Sequence, residues 1–82
     1  TGPSPEAKVA LEQRRARVMS ALATMEPARR AVFVMYEMES MPCTEIATAL
    51  DIPLNTVYSR LRLARERFKA ALSRLRLQRG EA

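Results

Sequence analysis

An all-α domain of four helices is predicted by three features of the sequence. Apolar residues recur at steps of three and four along most of the chain, the period of a helix with one buried face. Pro27, Pro42 and Pro53 punctuate those periodic runs at places where one helix gives way to the next. Residues 44–75 read as a short helix, a tight turn and a long basic helix.

Residues 1–5 contain Gly2, Pro3 and Pro5, lack periodicity and read as a linker end. The first helix is predicted near 6–24. Leu11, Val18, Leu22 and Met25 fall on a four–three spacing with Arg15 in the one polar gap, while Glu12, Arg14 and Arg17 take other faces. Thr24-Met25-Glu26 is the break. Pro27 then suits the first position of a second helix, near 27–39, where its missing N–H leaves nothing unsatisfied. That helix is apolar almost all round, through Ala31, Val32, Phe33, Val34, Met35, Tyr36 and Met38. It is therefore expected at the centre, its residues either core or lining an open groove for a partner.

Ser40-Met41-Pro42-Cys43 forms the next turn, leading to a third helix near 43–50. Glu45 lies in its first turn, where the helix dipole favours an acid. Ile46, Ala47 and Leu50 share one face, and Ala47 and Ala49 are small enough to let the next helix approach closely. Asp51-Ile52-Pro53 is the turn. The fourth helix, near 54–77, would be about 36 Å long. Val57, Leu61, Ala64, Phe68, Leu72 and Leu75 make one apolar stripe along it, and Arg60, Arg62, Arg65, Arg67 and Lys69 take its other faces. One domain over 6–79 and a frayed tail over 80–82 complete the reading.

Composition narrows the function. The chain has 82 residues, no His, no Trp and one Cys, Cys43. Ser-His and Cys-His catalysis and the usual zinc sites lack their residues, and no nucleophile–base pair can be assembled, so neither an enzyme nor a cofactor or small-molecule substrate is expected. A lone Cys suits a reducing compartment. No apolar run is long enough to span a membrane. The net charge of +5 is unevenly spread. From Arg60 to Arg79 eight bases face one acid, Glu66, while Glu37, Glu39, Glu45 and Asp51 form an acidic stretch without a base. A basic stripe on one helix is the footprint of a polyanion binder, or a solvated face that keeps a small domain soluble.

A short helix, a three-residue turn and a basic helix form the helix-turn-helix pattern, in which the second helix enters the major groove with its first turns against the base edges. At that end stand Asn55, Tyr58, Ser59 and Arg62. An Arg can pair bidentately with guanine O6 and N7, Ser59 can bond a donor or an acceptor, and Tyr58 offers a ring to a thymine methyl. Thr56, Arg60 and Arg65 are expected on the DNA backbone. Thr44, at the start of the third helix, can meet a phosphate there. Thr56 could instead cap its own helix, and Arg67 is expected in solvent or beside an acid. Arg74, Arg76 and Arg79 lie too far along the axis to read the same base pairs.

Ile52-Pro53-x-x-Thr56-Val57-x-Ser59-Arg60-Leu61-x-x-Ala64-Arg65, preceded by Glu45-Ile46-Ala47 and Leu50, resembles region 4 of bacterial sigma-70-type initiation factors, nearest the extracytoplasmic-function group. Upstream, Arg30-Ala31-Val32-Phe33 resembles that family's R-x-V-F segment. The resemblance covers about residues 11–75. Asn55 stands where the family has Gly, Leu63 where an Arg is common, and Pro42 in place of a Ser, which removes half of a capping box.

The resemblance implies recognition of the promoter minus-35 element in double-stranded DNA and docking on the β-subunit flap of RNA polymerase core. It also implies control by an anti-sigma factor and a place in the bacterial cytoplasm, at the nucleoid when active. The surface for polymerase or anti-sigma factor is expected at Val18, Met19, Leu22, Phe33 and Tyr36 and along Phe68, Leu72 and Leu75. The first helix packing back on the fourth is the alternative use of that stripe. A response-regulator-type helix-turn-helix and a protein-interaction module using the basic helix remain as rival readings. The chain is expected to be a fragment of a longer factor.

Overall fold

Four helices follow one another with no strand among the described residues, which in this computed structural model are Gly2, residues 4–78 and Gly80. Helix α1 spans Pro5–Ala23, α2 Pro27–Phe33, α3 Cys43–Leu50 and α4 Leu54–Gln78. The all-α expectation and all four helices hold, with ends within a residue or so except at α2. There the helix widens into a π-helical turn, Val34–Met38, in which the Glu39 N–H reaches the Val34 carbonyl at 3.0 Å. The second helix thus ends on a turn wider than the α-helical one.

Local chemistry sets the helix starts. Ser4 caps α1, its hydroxyl accepting from the Ala7 N–H at 3.2 Å, so Pro5 belongs to the helix and not to a linker. Thr1 and Pro3 of the expected linker lie outside the described residues, as do Glu81 and Ala82 of the expected tail. Glu26 caps α2 through the Ala28 N–H, with Pro27 at the first position. Pro42 precedes α3 and makes no side-chain cap.

The α3–α4 turn closes through a left-handed residue. Asp51 has φ 54 and ψ 51, which lets the Ile52 N–H reach the Ala47 carbonyl at 3.0 Å and the Asp51 N–H reach that of Thr48 at 3.3 Å. These two bonds are the Schellman pattern that ends a helix with its last carbonyls satisfied. Asn55 lies one residue inside α4 and needs no turn geometry.

Helix α4 packs against α1, α2 and α3. The core is Leu22, Met25, Val32, Phe33, Ile46, Val57, Leu61 and Ala64, with Val32, Ile46 and Val57 wholly enclosed. Each such side chain contributes about 1.5–3 kcal/mol by leaving water. The Phe33 and Phe68 rings meet at 4.8 Å between centroids, tilted by 36°. Ala21 of α1 and Ala71 of α4 are also buried, so α1 does pack back on the far half of α4. Small residues on both helices permit that approach.

Two expectations are corrected. Leu22 and Phe33, assigned to a partner surface, are 5% and 6% exposed and belong to the core. Leu11, expected on the packed face of the first helix, is 48% exposed. Every described residue from 4 to 16 is exposed, so the first half of α1 projects from the body. The chain measures 44 × 33 × 17 Å with a radius of gyration of 15.2 Å, against about 12 Å for a compact chain of this length.

Candidate nucleic-acid interface

The α3–α4 turn seats the first turns of α4 with one face on the core and the other in solvent. Val57 and Leu61 anchor that end; between them Tyr58 and Ser59 are exposed and Arg60 is half-buried. Asn55, Tyr58, Arg62, Arg65 and Lys69 follow at steps of three and four and are all exposed, Tyr58 to 53%. They form one row down α4, covering about 15 Å between Asn55 and Arg65. Ser59 stands beside it, exposed, with its hydroxyl donating to the Thr56 carbonyl at 3.2 Å. With its proton used there, the hydroxyl has lone pairs left to accept with.

Arg60 is not in that row. By the helix period it lies on the opposite flank, the one shared with Arg67 two turns further on. The Arg67 Nε–H donates to the Thr24 carbonyl at 3.3 Å, so Arg67 ties α4 to the α1–α2 turn and has no acid partner. The row and this flank lie on opposite sides of α4. Thr56 is half-buried; its N–H goes to the Pro53 carbonyl at 3.0 Å and its hydroxyl caps nothing. Thr44 is exposed in the first turn of α3, with its carbonyl accepting from the Thr48 hydroxyl at 3.1 Å.

Both arginines of the row hold carboxylates. Arg62 Nη1 lies 3.4 Å from Glu66 Oε1 on the same helix, an exposed and weak pair. Arg65 Nε donates to Glu37 Oε1 at 2.8 Å, a bond between helices, and its Cζ lies 5.1 Å from the centre of the Tyr36 ring. Donating to Glu37 raises the Arg65 guanidinium pKa above its ordinary value. Of the two expectations for Arg67, solvent or an acid, exposure holds, and the inter-helix acid pair falls on Arg65.

The remaining predicted positions divide by exposure. Met19 is 62% exposed, and Val18, Tyr36, Phe68, Leu72 and Leu75 are half-buried, the first three packed on the core edge. Leu75 lines a shallow groove with Ser20, Thr24 and Ala71 where α1 crosses α4.

Arg30 is the structural residue that sequence reasoning missed. Its Nε and Nη2 donate to the Leu22 and Met25 carbonyls, both at 2.9 Å, and so close the end of α1. Among the described residues no cluster of His, Cys, Asp and Glu could hold a metal ion, and no helix is long and apolar enough to cross a membrane.

A basic helix presented at its amino end by a short helix and a tight turn defines a helix-turn-helix DNA-binding domain. The family model described as sigma-70, region 4 matches residues 15–68, from the middle of α1 to the middle of α4. The chain belongs to that family: it is the promoter-DNA-binding region of a sigma factor, the component that works with RNA polymerase in transcription initiation. No curated protein matches the chain.

Proposed function

We propose that this domain reads the minus-35 element of promoters, as a factor of the extracytoplasmic-function type, and that an anti-sigma factor controls it. The observation that carries the reading is the exposed row Asn55, Tyr58, Arg62 at the amino end of α4, directly after the left-handed turn at Asp51. Arg62 leaves its weak pair with Glu66 for guanine O6 and N7, a contact worth about 1–3 kcal/mol of discrimination. Tyr58, Ser59 and Asn55 meet the neighbouring bases. Thr44, Thr56, Arg60 and Arg65 hold the phosphates. Polymerase flap and anti-sigma factor share the apolar edge that stays open, Val18, Met19 and Tyr36 on one side and Phe68, Leu72 and Leu75 along α4. Leu22 and Phe33 support this edge from beneath.

Selection of preferred duplexes from a random pool, followed by titration at several salt concentrations, tests the reading. One short sequence should emerge, with log K falling steeply against log salt. Arg62→Ala should relax preference at a single base position, and Arg60→Ala should weaken all sequences alike. Equal losses by both variants on selected and scrambled duplexes would refute these assignments. Footprinting with polymerase should show protection upstream of the start site that depends on this domain.

A further inference from the structure

The cation row of α4 is not presented to DNA in the free protein as a simple series. Arg65 follows Arg62 in the row and is the member closest to the apolar stripe, so its side chain can turn either outward, beside Arg62, or inward, onto α2. In this structure it turns inward. Its Nε is bonded to Glu37, and the guanidinium stands over Tyr36. Both partners sit in the wide π-helical turn Val34–Met38, the one segment where the second helix departs from regular geometry. The pair bridges residues 28 apart and is only half-exposed on either side.

A carboxylate oxygen on a guanidinium N–H is the same contact a phosphate oxygen would make. We propose that Glu37 is an internal stand-in for a DNA phosphate: it parks Arg65 on α2, and DNA binding requires Arg65 to exchange that carboxylate for the backbone. This rests on the reading of α4 as the DNA-contacting helix. Its consequence is a filter. A loosely seated duplex does not draw Arg65 off Glu37, whereas a duplex seated deeply by the base contacts of Arg62 and Tyr58 brings a phosphate within its reach. The Arg62–Glu66 pair does not do the same, because it lies along one exposed helix face and is long and weak at 3.4 Å.

A double-mutant cycle on the whole chain reads the exchange. Affinity is measured for a selected duplex and for a scrambled one of the same length, at one fixed low salt. Glu37→Gln should tighten binding about two- to fivefold, the reciprocal of an exposed pair's usual strength. In an Arg65→Ala background the same change should do little, since Glu37 then has nothing to hold. Glu37→Asp keeps the net charge but draws the carboxylate back by one methylene, and it should also tighten binding. The scrambled duplex should gain more than the selected one.

Weaker binding by Glu37→Gln would overturn the proposal, because Glu37 would then be orienting Arg65 for DNA. Equal tightening with and without Arg65 would overturn it too, by reducing Glu37 to bulk charge, as would no change in Glu37→Asp. If the unaltered chain binds neither duplex, the DNA-contacting role of α4 fails and this exchange fails with it. Helix content by circular dichroism accompanies each variant, and the exposed position of the pair means that all should fold.

Discussion

Arg30 completes the carboxyl end of α1 from another helix. The last carbonyls of a helix have no partner within it, and α1 ends in the core where water is scarce. Arg30 supplies two N–H groups to the Leu22 and Met25 carbonyls, and the Thr24 hydroxyl supplies a third bond, to Ala21 at 2.6 Å. Arg30→Ala should therefore cost about 1–3 kcal/mol in urea unfolding, the usual loss when partly buried acceptors are orphaned. Arg30→Lys should recover little, since one ammonium cannot reproduce the fork. None of this was legible in the sequence, because the acceptors are backbone atoms and have no letter. The same limit explains Arg65 and Arg67. Their positions on α4 were readable from spacing, but their partners lie 28 and 43 residues away, and periodicity does not say which turn faces which.

Among the elements, the α3–α4 turn makes a specific demand on backbone. Asp51 must hold a left-handed conformation that the Cβ of most residues resists. An Asp accepts it at modest cost; a β-branched residue does not. Asp51→Val should destabilise the domain by about 1–2 kcal/mol in thermal or chemical unfolding. It should also weaken DNA binding beyond its effect on stability, since the angle of α4 depends on that turn. The turn was visible in Asp51-Ile52-Pro53, and so was the apolar stripe of α4, because both are local patterns. The π-helical turn was not. Its residues, Val34 to Met38, read as continuing helix, and no residue type among them marks the wider hydrogen bonding. Leu22 and Phe33 were misjudged for a related reason: apolar surface and apolar core have the same composition, and only the assembled helices tell them apart.

Taken as a whole, the molecule has a dense half and a bare half. The enclosed residues come from the end of α1 onward, and nothing covers residues 4–16. Deleting residues 1–12 should shift the unfolding free energy by less than about 0.5 kcal/mol. Ile46→Ala, which empties a wholly enclosed site, should cost about 2–5 kcal/mol. In a domain whose single core supplies about 3–5 kcal/mol, that loss leaves much of the population unfolded. Comparing the two variants by circular dichroism melting tests whether stability is as lopsided as the burial.

The only glycines, Gly2 and Gly80, stand at the two margins of the chain, so the left-handed residues on either side of α3, Ser40 and Asp51, are held by side-chain-bearing backbone. A reading head assembled this way is a die rather than a set of fingers. Its backbone meets every promoter with one fixed profile, and beyond what its side chains can re-aim, tolerance for imperfect sites has to come from the double helix, whose pyrimidine–purine steps yield more readily than its A-tracts.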